Sequence, residues 1–566
     1  MAIAVSYVRL IGFLDLFPGT APNDKTFYAA AAGKDFIQKL CCHLLGHLRH
    51  GGFPDVDTFL ELAFTDVGYD HRRSPSYNAL KAAYDKLQRS NRTTRFHIIS
   101  IEALLSLFIW TETEKGLNAQ GTANGIVAML RLIELLLLFN DDVLKNYQTA
   151  YESSQQGPQE LQYHRLSLAT AFPQHDLVNS DYAQLIFTQA YKLAKLLTFL
   201  EADDFKPLSE ALLQHYECAT KEEYLKAIGG AIFTPLKGNK AGVDTLQVGD
   251  WPNGTGAQFL SKLSVDTATL PTDQNDYKQL RETPLQDLQN GEYRVIYDLF
   301  LIKKAYNSLI FKLSELAKQI GMTKDFLGEI RRRFSEGVLL YDVLGECLTG
   351  QTDILMSGEN IPLEREPDTY ARSKNRVMLF ESKDFYLTAK EKLSYDFDKI
   401  VAGLQKDGRL LKAVQQIARN VARVATMGFP FDQGYMPNEV TVYPIVVVHD
   451  ALYAASSLNF WANEWFQHEL AIAAKTYGFS ICDIKHVAPL TIIEIDSLIL
   501  YKQYFANGTL DLPTLIDDYH DHVKFQNRGI NASLPFSELF RDYCLQRGFV
   551  PDIPELIKMM KDLGIA

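Results

Sequence analysis

A change in hydrophobic period along this chain of 566 residues most constrains its fold. From about Asp24 to Phe233, apolar residues recur every three to four positions, which predicts helices almost throughout. Beyond Ser335, short apolar runs replace that spacing and predict strands. Three of them follow one another at Val338–Leu344, Thr352–Met356 and Arg376–Ser382. The chain is therefore predicted to combine a helical region with an α/β region.

The stretch between these two parts has the composition of a loop. Gly, Pro, Asn, Asp and Thr are frequent over residues 234–290. We therefore predict an α-helical region over 1–233, a loop-rich linker over 234–290 and an α/β domain over 291–566. A helix over Tyr293–Ile320 opens that domain, and a helix over Phe397–Ala425 followed by a strand at Thr441–His449 comes after the three strands. This order predicts a central mixed sheet flanked by helices.

Composition and charge exclude several classes of protein. Hydrophobic residues make up 47% and charged residues 22% of the chain, which is typical of a globular protein and excludes a largely disordered one. The net charge of −12 excludes a general polyanion binder, so any contact with nucleic acid requires a local basic patch. The six cysteines have no regular spacing, which favours reduced thiols and a cytoplasmic location.

Targeting and membrane segments are not expected. The N-terminus lacks the basic, apolar and small-residue succession of a signal peptide. The most apolar stretch, Gly125–Phe139, is too short to span a bilayer and contains Arg131 and Glu134. We expect a buried helix there and no membrane partner.

One carboxylate-rich constellation carries candidate chemistry. Residues two apart on a strand project to the same face, so Glu381 and Lys383 should emerge side by side. If the strand that holds Asp353 pairs with theirs, two carboxylates and one ammonium converge. Such oxygen ligands suit Mg²⁺, which can activate a water for attack on a phosphate. Lys383 would orient that water or offset the charge that develops on the phosphate.

At these residues the chain resembles the PD-(D/E)XK nuclease superfamily, whose fold is restriction-endonuclease-like. The family core is a helix, a three-strand meander, a second helix and a further strand, with an Asp on the second strand and (D/E)-x-K on the third. Asp353 and Glu381-Ser382-Lys383 take those positions, although Thr352 stands where the family usually has Pro. The resemblance covers about residues 324–496.

The resemblance also implies further site residues. Asp353, Glu381 and the carbonyl of Ser382 would bind Mg²⁺ or Mn²⁺. An additional acid on the first helix would be Glu329, with Glu336 as the alternative. A Gln on the helix after the motif would be Gln416, with Gln415 as the alternative.

A basic stripe on that later helix is what a phosphate backbone would require beside a metal site. A solvent-exposed helix face is the simpler explanation of the same pattern. The stripe and two residues near the motif give the candidate nucleic-acid contacts: Arg409, Lys412, Arg419, Arg423, Lys374 and Arg376.

The sequence therefore predicts a metal-dependent nuclease. The resemblance alone favours DNA over RNA and implies a role in prokaryotic restriction or anti-phage defence. We expect the N-terminal helices to sense a target, bind a protein partner or mediate self-association. The alternatives are a non-catalytic nucleic-acid-binding or scaffold protein with a degenerate nuclease fold, and phosphoryl chemistry on a nucleotide.

Overall fold

A computed structural model describes most of the chain. The described residues are 7–48, 56–65, 74–91, 94–123, 125–178, 181–233, 245–250, 256–266, 270, 276–322, 325–361, 366–551, 558 and 561. They are mostly helical, and within them no helix combines the length and apolar character needed to cross a bilayer.

Twenty-four α-helices are present in these ranges. The first fourteen are α1 Phe13–Leu16, α2 Lys25–Ala32, α3 Lys34–His47, α4 Val56–Thr65, α5 Pro75–Ser90, α6 Ile101–Thr113, α7 Gly125–Ser154, α8 Gln162–Ala171, α9 Tyr182–Phe199, α10 Lys206–His215, α11 Lys221–Ile232, α12 Gly256–Lys262, α13 Lys278–Glu282 and α14 Asp298–Lys303. The remaining ten are α15 Asn307–Gln319, α16 Phe326–Glu329, α17 Tyr341–Leu348, α18 Ala389–Lys392, α19 Phe397–Gln405, α20 Leu410–Thr426, α21 Leu458–Tyr477, α22 Ile495–Ala506, α23 Leu512–Val523 and α24 Phe536–Gln546. A π-helical stretch, Ile330–Leu340, joins α16 to α17.

The described strands form three sheets. Their bounds are β1 Tyr7–Leu10, β2 Thr94–His97, β3 Thr245–Gln247, β4 Leu285–Asp287, β5 Glu292–Val295, β6 Ile354–Ser357, β7 Thr369–Ser373, β8 Arg376–Lys383, β9 Thr441–Val448, β10 His486–Val487 and β11 Thr491–Glu494. Strands β1 and β2 pair in parallel, and β3, β5 and β4 form a small antiparallel sheet. The third sheet contains β6 to β11.

The chain folds into two compact units, each of which is built from three separate segments of the chain. One unit comprises residues 1–148, 179–182 and 230–304, and the other comprises 149–178, 183–229 and 305–566. This division differs from the predicted order of helical region, linker and α/β domain. Helices from the predicted helical region belong to the same unit as the large sheet, and the predicted linker belongs to the first unit.

Helices and the two small sheets build the first unit. Helix α3 packs on α6, whose apolar residues are buried on nearly all sides. The buried side chain of Asn140 in α7 donates to the backbone carbonyls of Ile11 and Ile98, at 2.8 and 2.9 Å. These carbonyls follow β1 and β2, so one amide holds the ends of both strands.

The large sheet of the second unit is mixed, as predicted. Strands β6, β7 and β8 form an antiparallel meander, and β9 then lies parallel to β8. The crossover between β8 and β9 contains α20, which packs on both strands. Strand β9 also pairs with β10 at Thr441 and Val442 and with β11 from Ile445 onwards. Pro444 lies between these two pairings, a position that tolerates a residue without a backbone N–H.

Two local predictions for the second unit are wrong. Val338–Leu344, predicted as a strand, belongs to the π-helical stretch and α17. No strand is predicted between Thr352–Met356 and Arg376–Ser382, yet this segment contains β7. The three strands of the meander are therefore β6, β7 and β8. The run predicted as the second strand, Thr352–Met356, corresponds to the first strand of the meander, and β7 is the second.

Two predicted helices are also divided. The Tyr293–Ile320 segment begins in β5 and continues as α14 and α15. The Phe397–Ala425 segment is α19 and α20, which are separated at Gly408, where a φ of +77° interrupts the helix.

Candidate functional site

Two carboxylates meet where β7 begins and β8 ends. The antiparallel register pairs Thr369 with Phe380, so the preceding Asp368 lies beside Glu381. The Oδ2 atom of Asp368 accepts a hydrogen bond of 2.6 Å from the backbone N–H of Ser382. The two acids are therefore brought together by the pairing of their strands and by a bond to the main chain.

Lys383 reaches the same place from the end of β8. Its Nζ atom donates to Oε1 of Glu381 at 2.9 Å, as expected for residues two apart on one strand. Glu381 is completely buried, and its other oxygen, Oε2, has no hydrogen-bond partner among the residues that the structure describes. A buried carboxylate oxygen without a partner is costly, so this atom is suited to bind a ligand or a cation.

A third acid comes from the π-helical stretch. The hydroxyl of Tyr341 donates to Oε1 of Glu336 at 3.2 Å. These residues are five apart, whereas α-helical neighbours are three or four apart. The wider winding of the π-helix brings positions i and i+5 together, which explains this pairing.

The electrostatics of these four groups are coupled. Burial and, after it, the nearby Asp368 raise the pKa of Glu336 to about 7. Burial likewise raises the pKa of Asp368, and it raises the pKa of Glu381 well above its usual range. Although burial opposes the charged form of Lys383, Glu381 and Asp368 outweigh it and raise the pKa of this lysine. Three carboxyl groups thus share one ammonium, and protons or a cation must balance the remaining charge.

The structure does not bring Asp353 into this cluster. The strand that follows Asp353 is β6, which pairs with β7 and not with β8. The Oδ2 atom of Asp353 accepts a hydrogen bond of 2.7 Å from the backbone N–H of Lys374, in the turn before β8. The five steps from Arg376 to Glu381 cover about 17 Å of strand. The expectation that Asp353 and Glu381 share one metal ion is therefore wrong.

The preferred acid of the first helix is also misplaced. Both carboxylate oxygens of Glu329 accept from Arg332 at 3.1 Å, and Arg333 lies 3.8 Å from Oε2, so this carboxylate is engaged by arginines that follow it in the chain. Glu336, the alternative, is the acid that lies beside the cluster. Gln416 is half-buried on α20, and its backbone carbonyl accepts from Asn420 at 3.1 Å.

The candidate nucleic-acid contacts fall in two places. Lys374 and Arg376 lie at the opposite end of β8 from Glu381, where Arg376 binds both oxygens of Asp511 at 2.5 and 2.9 Å. The other four are on or next to α20: Arg409, Lys412, Arg419 and Arg423.

The four residues near α20 differ in their contacts. Arg409 pairs with Glu391 at 3.1 Å. Arg423 interacts electrostatically with Glu366, an acid that also raises the pKa of Asp368. Lys412 is exposed, 3.8 Å from Asp407. The last turns of α20 therefore share an electrostatic environment with the acidic cluster, whereas Lys374 and Arg376 do not.

Sequence reasoning missed Asp368. The available signal was the dipeptide Pro367-Asp368, which precedes β7 directly. The sequence pattern predicts no strand at this position, so Asp368 is absent from the predicted site.

The cluster fits a metal ion only in a limited way. Among the described residues, no group of three or more His, Cys, Asp and Glu side chains is arranged as a metal site. Mg²⁺, however, commonly uses one or two protein carboxylates and keeps several waters. The open Oε2 atom of Glu381 and the neighbouring carboxylate of Asp368 meet that smaller requirement.

The chain has no match to a known protein family model, to a curated protein or to a solved structure.

Proposed function

We propose that this protein is a metal-dependent nuclease of the PD-(D/E)XK type that hydrolyses phosphodiester bonds, with DNA as the favoured substrate. The observation that carries this proposal is the convergence of Asp368, Glu381 and Lys383, with Glu336 beside them. The buried Oε2 atom of Glu381, unpartnered among the described residues, supports a role of this carboxylate in binding a cation.

The order of elements supports the same proposal. A helix with a π-helical turn, the meander β6–β7–β8, helix α20 and the parallel strand β9 follow the core order of that superfamily. With β7 as the second strand, the motif becomes Pro367-Asp368 followed by Glu381-Ser382-Lys383. The proline that is absent before Asp353 is then present before the proposed Asp.

Each residue has a distinct role in the proposed mechanism. Asp368, Glu381 and the carbonyl of Ser382 would hold Mg²⁺ or Mn²⁺. When bound, such an ion would supply Lewis acidity at the phosphate and would make a nearby water more acidic. Lys383 donates hydrogen bonds to the attacking water or to the developing negative charge. Glu336, with its pKa of about 7, can accept a proton near neutral pH.

A cleavage assay with one matched control tests the proposal. The full chain is incubated with plasmid DNA, single-stranded DNA and RNA in Mg²⁺, Mn²⁺ or EDTA. We expect cleavage that requires the metal and that Asp368→Asn, Glu381→Gln and Lys383→Ala each reduce about 100-fold or more. Asp353→Asn is the matched control, since it changes another aspartate of the same sheet at the far end of β8. It should retain activity within about two-fold.

The outcomes separate the alternatives. Equal activity loss in the Asp353 and Asp368 variants would contradict the proposed site. Intact nucleic acids under every condition would contradict the proposed function and favour a non-catalytic binding or scaffold protein. Turnover of a nucleotide without strand cleavage would instead indicate phosphoryl chemistry on a small molecule. Circular dichroism of each variant confirms that it is folded.

A further inference from the structure

A second set of polar contacts lies behind the end of β8. Successive strand residues face opposite sides of the sheet, so Ser382 points away from Glu381 and Lys383. Its Oγ atom is 2.8 Å from Nε2 of His449, the residue that follows β9. Ser382 and His449 are both buried. Ser382, which lies between Glu381 and Lys383, is therefore held by His449 on the opposite face of the sheet.

His449 is in turn fixed by a helix that is distant in sequence. The backbone carbonyl of His449 accepts from Nζ of Lys192 in α9 at 3.2 Å. Lys192 is buried and pairs with Asp496 in α22 at 2.5 Å. Burial lowers the pKa of His449 to about 3. The imidazole is therefore neutral near pH 7, and its bond to Ser382 does not depend on a charge.

A similar contact holds the helix that carries Glu336. The hydroxyl of Ser335 donates to Oδ2 of Asp384 at 2.6 Å. Ser335 directly precedes Glu336, and Asp384 directly follows Lys383. This single bond therefore fixes the π-helical stretch against the end of β8.

We infer that these contacts form a positioning network for the proposed metal site. We call the set Ser335, Ser382, Asp384, His449 and Lys192 the back-face network. The side chains of these residues do not touch the reacting atoms, so they act as positioning groups; only the main-chain carbonyl of Ser382 is itself a proposed metal ligand. The inference rests on the proposed function, because the network acts on residues that are proposed to bind the metal.

The peptide of Ser382 explains why such positioning matters. Its N–H group holds Asp368, and its carbonyl is a proposed metal ligand. The side chain of the same residue is fixed by His449. With both faces held, the carbonyl has little freedom to turn. Groups that orient metal ligands in this way typically change metal affinity by 10-fold or more when they are removed.

Binding of Mn²⁺ alone, measured by electron paramagnetic resonance, tests this inference without any nuclease assay. The variants are Ser382→Ala, which removes one hydroxyl, His449→Leu, which removes the hydrogen-bonding ring, and His449→Gln, whose amide can still reach Ser382. We expect the first two to raise the Kd for Mn²⁺ about 10-fold. His449→Gln should restore affinity to within about three-fold of the unchanged protein, which a purely structural role would not predict.

The chain offers a closely matched control in His520. Its Nε2 atom lies 2.8 Å from Oγ1 of Thr491, on β11 of the same sheet. Burial lowers the pKa of His520 to about 3, as it does for His449. His520→Leu should therefore lower the melting temperature by a similar amount but leave the affinity for Mn²⁺ unchanged.

Each outcome decides one question. Unchanged Mn²⁺ affinity in folded Ser382→Ala and His449→Leu, or equal weakening in His520→Leu, would overturn the positioning role. If His449→Leu does not fold, Ser382→Ala decides alone. Failure of the proposed function looks different: the unchanged protein then does not bind Mn²⁺, or Asp368→Asn binds it equally well.

Discussion

The carboxylate of Asp368 accepts a 2.6 Å hydrogen bond from the backbone N–H of Ser382, the residue between Glu381 and Lys383. A main-chain donor cannot change rotamer, so this bond fixes one acid of the cluster relative to the other. It also favours the ionised form of Asp368, although burial raises the pKa of that group overall. The pairing of β7 with β8 and this main-chain bond therefore bring Asp368 and Glu381 together.

Lys383 should be important for stability as well as for chemistry. Lys383→Met leaves the fully buried Glu381 without the ammonium that donates to it. Removal of one partner from a buried ion pair typically costs about 3 kcal/mol or more, so we expect the free energy of unfolding at pH 7 to fall by that amount. Urea denaturation measures the change.

The double variant provides the control for this effect. Glu381→Gln in the Lys383→Met background replaces the buried ionisable carboxyl group by a neutral amide, and we expect it to recover about half of the lost stability or more. If Lys383→Met alone changes the free energy of unfolding by less than about 0.5 kcal/mol, the ion pair contributes little to the fold.

Tyr341→Phe tests the contact that the π-helical stretch creates. The substitution removes only the hydroxyl that donates to Glu336. We expect the free energy of unfolding to fall by about 1 kcal/mol, the usual contribution of one hydrogen bond. Tyr151→Phe is the control, since the side chain of Tyr151 is 50% exposed and its loss of a hydroxyl should change little. Equal effects of the two substitutions in urea denaturation would contradict a specific role for the Tyr341 hydroxyl.

The sequence predicted the parts of the site that depend on local pattern. Glu381 and Lys383 are two apart on a strongly apolar strand, so their common face follows from strand geometry alone. The runs that became β8, β9 and β11 are apolar because the centre of a mixed sheet is covered on both faces. These features made the mixed sheet and half of the cluster predictable.

The other half depends on pairing between distant segments, which local pattern does not reveal. Strand β7 contains Arg372, whose charge is balanced by the buried Asp432 at 2.6 Å, and such a strand does not look apolar in sequence. The run Val338–Leu344 is predicted as a strand, although a short apolar run fits either a strand or a helix. Its buried residues recur at helical spacing: Leu339, Leu340, Val343 and Leu344. Because this run is counted as the first strand, β6 is counted as the second. The candidate aspartate is therefore Asp353, before β6, and not Asp368, before β7.

The basic residues predicted to contact nucleic acid should separate into two groups. Lys412 is exposed in the first turn of α20, and Arg419 lies nearer the end of α20 that shares the electrostatics of the acidic cluster. Within the described part of the chain, Nε of Arg419 has no hydrogen-bond partner. Arg376 is already engaged by Asp511 at the opposite end of β8. We expect Lys412→Ala with Arg419→Ala to weaken DNA binding about 10-fold and to lower the salt slope by about 2, because two phosphate contacts are lost.

Fluorescence anisotropy with labelled DNA in EDTA measures this difference without cleavage. Arg376→Ala is the matched control and should leave the affinity for DNA unchanged while lowering stability, since it breaks a two-point ion pair. Equal loss of affinity in both variants would argue against a binding surface on α20.

A lower pH should weaken the ion pairs of Glu391. Glu391 accepts from the backbone N–H of Thr388 at 2.8 Å and pairs with Lys406 and Arg409. Burial favours its neutral form, but the bonds from Lys406 and Thr388 outweigh burial and lower the pKa from 4.5 to about 2. A carboxyl group whose folded pKa is depressed contributes its full stability above the unfolded pKa and loses it as the pH falls through the folded one.

The difference in unfolding free energy between the unchanged protein and Glu391→Gln should therefore be largest above pH 4.5 and shrink as the pH falls towards 2. We expect a maximum of about 1 kcal/mol, since Lys406 is largely exposed to solvent, which screens the pair. Urea denaturation at a series of pH values measures the difference. A difference that stays constant over this range would show that Glu391 acts through packing or capping and not through its charge.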